Sequence, residues 1–374
     1  MSGTLSYIDN FLGNIFERIK RNSAVDTQSL AYFRIFIGIF MLAHYLPEWI
    51  WFGDAPQGFF QPHMFTAAYL WDGFWDKSFY VLLDSLNILL FIMVTLGIRT
   101  RVSFLLLFII NYIGYSFEFS FGKIDHEIHL FLIVLITCVF TNIGTKSAFL
   151  KDKKINPNVQ KWALALLSIY IAFGFFTAGL PKFLRWVDFN ANEIGFLDWF
   201  YKGFFTYDRS LLLAKSVFKT PYIVFEIADH LAPTIELISF VFLLGSKRAW
   251  RIYLVILCFF HMGNTLLLNI EFALNITCYG IFLIGPVLSH FKSYFPKGRK
   301  AKNMLLGLVA VLAIYQVGKR IYYWDYTYEV GYYSEKFIVD SNISIVMWII
   351  TILMGFYTIR KKLYENPQTV KSLS

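Results

Sequence analysis

Long apolar segments alternate with short polar ones along most of this chain. FLLLFIINYIG and FLIVLITCVF lack the apolar-polar alternation of membrane-barrel strands. Several segments approach the roughly 20 residues that a helix needs to cross about 30 Å of hydrocarbon. The pattern predicts about ten membrane-spanning helices, at 29–50, 79–98, 102–118, 126–143, 160–182, 223–244, 250–268, 271–289, 303–320 and 343–359.

The first 25 residues show a different pattern. Their apolar side chains follow one helical stripe, and basic residues stand at its end, at Arg18, Lys20 and Arg21. The segment lacks the continuous apolar region of a signal peptide. It predicts an amphipathic helix on the cytoplasmic membrane surface, and a helix packed on a loop is the alternative.

Basic residues are concentrated in alternate connections between the spans. If the N-terminus is cytoplasmic, most of the 34 Lys and Arg residues fall in cytoplasmic segments. The preference for basic residues on the inner side therefore predicts that both termini are cytoplasmic. These loops account for the net charge of +9, and they carry no RNA-binding signature, so no nucleic-acid partner is expected.

Composition agrees with this interpretation. Of 374 residues, 57% are hydrophobic, 20% aromatic and 16% charged, and the mean hydropathy is +0.53. Soluble domains carry about 25% charged residues. Cys138, Cys258 and Cys278 lie in apolar runs, as packing residues do, and indicate no disulfide framework. The predicted fold class is all-α: a polytopic transmembrane helical bundle.

Three predicted outer loops, 51–78, 184–222 and 321–342, are rich in Trp, Tyr and Phe. Aromatic residues of this density are typical of the membrane interface. The alternative is that they line an apolar vestibule open to the outer leaflet.

The sixth predicted span carries four ionisable residues. In YIVFEIADHLAPTIELISFVFLLG, Glu226, Asp229, His230 and Glu236 fall with Pro233 on one helix face. A charge at the centre of the hydrocarbon costs about 2.5 kcal/mol or more. The stripe must therefore face other helices or a hydrated cavity.

Other polar candidates lie in the fourth and seventh spans. Asp125, His126 and His129 stand where the fourth span begins, and the two histidines share a face; interfacial residues with satisfied hydrogen bonds are the alternative. His261 and Asn264 share a face of the seventh span, where a core histidine is the alternative. Neither group has the HExxH motif or obvious companion ligands, so no metal site is predicted.

Lys182 lies near the outer end of the fifth span, in TAGLPKFLRWV. Three options are open for its amine. It reaches the outer headgroups, it pairs with a carboxylate such as Glu226 or Asp229, or it stays neutral away from water and accepts a proton. Gly179 and Pro181 predict a helix that weakens or ends here and leaves room beside the amine.

Four segments together resemble a known family. LAYFRIFIGIFML, IDHEIHLFLIVL, FGFFTAGLPKFLRWV and FFHMGNTLLLNIEFALNITC are similar, in order and spacing, to motifs of the vitamin K-dependent γ-glutamyl carboxylase family. The resemblance extends to its bacterial relatives with a horizontally transferred transmembrane (HTTM) domain and covers residues 29–290. It aligns Lys182 with the family's catalytic base.

The resemblance implies a specific reaction. In the family, a lysine amine deprotonates a reduced vitamin K-type quinone, dioxygen adds, and the resulting alkoxide removes a γ-proton from glutamate. Carbon dioxide captures the carbanion, and the quinone leaves as an epoxide. The implied cofactor is a reduced quinone, and the implied partners are membrane lipid and a glutamate-containing peptide or protein. The catalytic residues expected from it are Lys182, His261 and His126, and those expected to line the cavity are Asn264, Glu226, Asp229, His230, His129 and Asp125.

The sequence departs from the family at three points. Pro181 stands where the family has a first lysine, no histidine occurs in TNIGTKSAF (141–149), and the β-rich C-terminal region is absent. The expected organisation is an interfacial helix at 1–25, an HTTM/carboxylase-like domain at 26–290, and two further spans with a cytoplasmic tail at 291–374. The expected location is the bacterial inner membrane.

Two other functions stay open at this point. One is a non-catalytic protein that keeps the HTTM scaffold as an export or immunity partner. The other is a proton-coupled transporter that uses the carboxylates of the sixth span. The sequence shows no pair of broken helices at matching positions of two halves, which argues against transport.

Overall fold

The computed structural model describes residues 2–122, 124–188, 194–207, 209, 211–296, 298–322 and 330–365. Within these ranges the chain forms helices and no strand, which confirms the all-α prediction. The helices are α1 (Ser2–Asn22), α2 (Thr27–Phe40), α3 (Lys77–Leu96), α4 (Thr100–Phe119), α5 (His126–Val139), α6 (Pro157–Trp186), α7 (Gly195–Tyr201), α8 (Ala214–Val217), α9 (Tyr222–Leu237), α10 (Ser239–Gly245), α11 (Lys247–Leu268), α12 (Asn275–His290), α13 (Gly298–Tyr322) and α14 (Val330–Arg360). Single π-helical turns lie at Met41–Tyr45 and Lys202–Thr206, and 3-10 segments lie at Ile50–Asp54, Gln57–Phe59, Ala67–Leu70 and Phe291–Ser293.

Each predicted span contains a helix of the structure. Among the described residues, seven helical segments are long and apolar enough to cross a membrane, and the pair α9–α10, bent by 46°, makes an eighth if it is one span. With 14 and 16 residues, α5 and α12 are shorter than the roughly 20 residues of a full crossing. The protein is a multi-pass membrane protein. The number of ten spans and the cytoplasmic position of both termini stay predictions.

The sequence predicts that the helix weakens or ends at Gly179 and Pro181, and in the structure α6 does not end there. It continues to Trp186 and has 30 residues. A proline inside a helix removes one backbone hydrogen bond, whereas a helix end leaves about four carbonyls to be satisfied. In an apolar surrounding the continuous helix is the less costly arrangement, so Lys182 lies within a helix.

Two predicted outer loops contain more helix than their composition indicated. The segment 184–222 includes α7, α8 and a π-turn, and residues 189–193, 208 and 210 lie outside the described part. The predicted loop 321–342 is shorter than expected because α14 begins at Val330, while residues 323–329 also lie outside it. These helices contain many aromatic and charged residues, so the apolarity that indicates the spans does not predict them. The tail at 366–374 lies outside the described residues as well.

The first span is interrupted, and side chains satisfy its broken backbone. The Leu42 carbonyl, within the π-turn, and the Pro47 carbonyl, after it, accept hydrogen bonds from Gln316 (2.8 Å) and Arg320 (2.7 Å) of α13. The Asp84 carboxylate of α3 accepts from the Trp49 amide at 3.1 Å and lies 3.4 Å from Arg320. In hydrocarbon, backbone groups without partners cost several kcal/mol each, so this polar clamp allows the interruption.

The chain forms two compact units. Unit 1 consists of Met1–Ala24, Leu164–Ile284 and Val330–Ser374, and unit 2 of Val25–Ala163 and Gly285–Glu329. Within unit 1, α14 packs closely on α11, because a Cβ at Gly355 would lie only 2.4 Å from Val255. The Thr358 hydroxyl of the same helix donates to the Leu283 carbonyl at 2.9 Å. The predicted domain ranges stay predictions.

Candidate functional site

Lys182 of α6 forms an ion pair with Glu236 of α9. Its Nζ lies 2.5 Å from Glu236 Oε1, and the side chains are 30% and 3% exposed, respectively. Of the three options for this amine, the structure therefore shows pairing with a carboxylate. The partner is neither Glu226 nor Asp229, because α6 continues past Pro181 and Lys182 meets the second half of α9.

Gly179 lets the two helices approach closely enough for this pair to form. A Cβ at this position would lie 2.7 Å from Glu236 Cβ and 3.2 Å from the Pro233 carbonyl oxygen. Gly179 and Lys182 are three residues apart and share a face of α6. The glycine that had indicated a weakened helix instead provides close helix packing.

Aromatic rings surround the amine on two other sides. Lys182 Nζ lies 5.8 Å from the ring centre of Trp186 and 6.0 Å from that of Phe260. Both distances are within the range of cation–π attraction. The ring of Phe260 in turn lies 5.7 Å, centre to centre, from that of His261. Lys182 and His261, predicted as a pair of site residues, thus belong to one polar cluster in unit 1.

His261 is buried in an aromatic surrounding. Its Nε2 lies 2.9 Å from the Tyr279 hydroxyl and 3.4 Å from Asn275 Nδ2. The donor and acceptor roles in these two contacts depend on the tautomer of His261 and on the orientation of the Asn275 amide. His261 Nδ1 has no hydrogen-bond partner among the described residues. Phe272 and Trp348 lie 5.0 and 5.2 Å away, ring centre to ring centre.

Asn264 lies one turn beyond His261 and is half-buried. Its carbonyl accepts hydrogen bonds from the amides of Asn269 and Ile270, where α11 ends. The backbone of Asn264 therefore serves to terminate the helix that carries His261.

Asp229 holds the first turn of α7. Its buried carboxylate accepts hydrogen bonds from the amides of Gly195 (2.5 Å) and Phe196 (2.8 Å). Gly195 in turn lies against Trp186, because a Cβ there would be 2.4 Å from the indole ring. A carboxylate at a helix N-terminus is favoured by the helix dipole and by the free amides. Asp229 thus supports the segment beside Trp186 and the Lys182 pair.

Glu226 and His230 form a second pair on α9. His230 Nε2 lies 3.3 Å from Glu226 Oε1 across one helical turn. The Glu226 side chain is 12% exposed and that of His230 is 33% exposed. The polar stripe predicted for this span is therefore engaged in three separate contacts along α9.

Asp125, His126 and His129 belong to unit 2. His126 is the exposed first residue of α5, preceded by Asp125, and His129 is half-buried against the ring of Phe119 at 5.6 Å. Their membership of one site with Lys182 stays a prediction. No group of three or more metal-ligating side chains occurs among the described residues.

Sequence reasoning missed three residues of the cluster. Glu236 was recognised in the polar stripe but was not selected as the partner of Lys182. Tyr279 and Asn275, which contact His261, lie in an apolar run; the polar Asn275 inside that run was the one available signal.

The HTTM domain family matches residues 22–284 of the chain. No curated protein and no solved structure matches the chain.

Proposed function

Because the chain belongs to the HTTM domain family, we propose that it is a membrane enzyme of the vitamin K-dependent γ-carboxylase type. Lys182 takes a proton from a reduced quinone, and the substrate is a glutamate side chain of a peptide or protein. The location is the inner membrane of a bacterium. The observation that carries this proposal is the Lys182–Glu236 pair, which lies between aromatic rings inside the matched region.

The residues around the pair fit a flat phenolic ring. Glu236 Oε2 is buried and has no hydrogen-bond partner among the described residues, so it offers an acceptor to a hydroxyl group. Trp186 and Phe260 present ring faces to the Lys182 amine. When bound, a hydroquinone oxidised by dioxygen supplies the strong base that removes the glutamate γ-proton before carbon dioxide adds.

The pair provides a route to a neutral amine. A proton that moves from Lys182 Nζ to Glu236 across 2.5 Å leaves both groups uncharged. Removing two charges from a poorly hydrated surrounding lowers the desolvation penalty of the pair. The neutral amine of Lys182 then accepts a proton from the bound hydroxyl. Glu236 thus places a proton acceptor next to Lys182. The family's first lysine is replaced here by Pro181.

The test uses the full chain in detergent with reduced vitamin K-type quinone, dioxygen, bicarbonate and a glutamate-containing peptide. Epoxide is measured by chromatography and carboxylated glutamate by mass spectrometry. Proton transfer by a positioned side chain contributes about 10²- to 10⁴-fold to a rate, so Lys182→Met should lower both products by about 100-fold or more. Lys161→Met, at an exposed position of the same helix, should keep full activity. Absence of epoxide with the unaltered chain, or activity in folded Lys182→Met, contradicts the proposal.

The ion pair itself favours a second candidate, a non-catalytic HTTM scaffold in which Lys182 only joins α6 to α9. A buried ion pair is often replaced by apolar residues without loss of stability. The double variant Lys182→Met/Glu236→Leu should then fold, and cells that carry it should have the same phenotype as cells that carry the unaltered chain. A folded double variant that loses the phenotype contradicts the scaffold role.

A further inference from the structure

Basic side chains from three elements meet on one face of unit 1. The end of α1 supplies Arg18 and Arg21, and the start of α11 supplies Arg248. Arg360 ends α14, and Lys361 follows it. All five are exposed. Although α1 lies more than 200 residues before α11 and α14 in the sequence, the fold brings the three together.

Specific contacts hold the end of α1 against the start of α11. Arg18 donates to the Gly245 carbonyl at 3.1 Å, and Asn22 donates to the Leu243 carbonyl at 2.8 Å. Buried Arg251 donates to the Asn22 carbonyl at 2.7 Å. These bonds fix the position of the basic end of α1 beside the junction of α10 and α11.

The packing of α14 on α11 brings the end of α14 to the same place, since a Cβ at Gly355 would lie 2.4 Å from Val255. Burial and the neighbouring Glu365 raise the pKa of Tyr364, while Arg248 and Arg251 act on it in the opposite direction. The residues that follow α14 therefore lie within electrostatic range of the start of α11.

Few acids offset this charge. Glu17 pairs with Lys20 on α1, and Glu365 lies 4.0 Å from Lys362. The larger number of basic side chains leaves a net positive surface, which we define as the basic face: Arg18, Arg21, Arg248, Arg360 and Lys361.

Apolar side chains continue from the basic face along α1. Tyr7, Phe11, Leu12 and Phe16 are between 37% and 72% exposed. Large apolar side chains next to a basic cluster are typical of a helix that lies in the headgroup region of a bilayer. A basic cluster beside membrane-spanning helices attracts anionic headgroups.

We propose that the basic face binds the anionic phospholipid headgroups of the membrane in which the protein lies, with the apolar side chains of α1 inserted beside them. The occupant is a lipid because an anion that is free in solution would gain nothing from the exposed rings of α1. This inference does not depend on the proposed enzymatic function.

The experiment measures the melting temperature of the full chain in detergent during titration with phosphatidylglycerol or phosphatidylcholine. We expect phosphatidylglycerol to raise the melting temperature at lower concentration. The triple variant Arg21→Gln/Arg248→Gln/Lys361→Gln removes one exposed charge from each element. It should need at least about tenfold more phosphatidylglycerol for the same effect, because each basic residue near an anionic surface strengthens binding severalfold.

The matched control removes three exposed charges elsewhere, with Lys151→Gln/Lys153→Gln/Lys154→Gln in unit 2. It should keep the preference for phosphatidylglycerol, and both triple variants should melt like the unaltered chain without lipid. Equal effects of the two lipids, equal losses in the two variants, or equal protection by inorganic phosphate would each overturn the proposal.

Discussion

Gly179 lies where α6 approaches α9 closely enough to exclude a side chain, because a Cβ there would be 2.7 Å from Glu236 Cβ. The backbone and Cβ atoms of α9 occupy the space that a side chain at this position would need. By contrast, Gly174, five residues earlier on α6, has no heavy atom within 4 Å of where a Cβ would lie. The two glycines of one helix therefore have different roles, which a substitution can separate.

Gly179→Ala should lower the free energy of unfolding by about 1–3 kcal/mol, the usual cost of overpacking. Gly174→Ala should raise it by about 0.5–1 kcal/mol, because alanine is the better helix former. Unfolding of both variants in the same detergent measures the difference. If both substitutions have the same effect, close packing at Gly179 is not what holds the pair in place.

The site could be predicted from the sequence only in part at this scale. A lysine near the end of an apolar run identified Lys182, and a polar stripe identified α9 as the helix that faces the interior. The predicted topology puts the outer half of the sixth span at the depth of Lys182, so the sequence offers Glu226 and Asp229 as its partners. The structure pairs Lys182 with Glu236, in the second half of α9.

At the scale of elements, α9 connects the candidate site to the segment that follows α6. One turn carries Asp229, which holds α7, and two turns later Glu236 pairs with Lys182. The two contacts are on the same helix, with Pro233 between them. The sequence predicted α9 as a polar span, but it could not predict its contact with α7, since that partner comes from an aromatic loop without helical periodicity.

Asp229→Asn should loosen α7, because an amide side chain has one acceptor oxygen where the carboxylate has two. A hydrogen bond to a charged group contributes about 1.5–3 kcal/mol. Since 1.4 kcal/mol corresponds to about tenfold, hydrogen exchange at residues 195–201 should become about tenfold faster or more. Exchange followed by mass spectrometry measures this. Asp198→Asn changes an exposed residue of α7 itself and should alter the exchange rate little. Equal effects of both variants would show that Asp229 does not hold α7 in place.

At the scale of the whole molecule, helix content and membrane character were predictable. Apolar runs of about 20 residues identify spans with few competing interpretations. The prediction of how the chain is oriented in the membrane rests on the distribution of basic residues alone. Helix packing does not test it, whereas labelling from either side of the membrane does.

Lys153→Cys should react with a membrane-impermeant thiol reagent only from the cytoplasmic side, because it lies in the basic segment 145–158. Tyr207→Cys, 60% exposed in its unaltered form on a predicted outer loop, should react only from the opposite side. The three natural cysteines are buried and should give little background. Reaction of Lys153→Cys from outside would overturn the predicted topology.

The clamp on the first span bears on where a minimal form of this protein could be cut. Gln316 and Arg320 lie beyond residue 284, where the family match ends, yet they donate to the carbonyls of Leu42 and Pro47 inside the match. A chain shortened to the matched region would leave those two carbonyls without these donors and Asp84 without its arginine. We therefore expect a chain cut at residue 284 to be less stable than one that keeps residues 298–322.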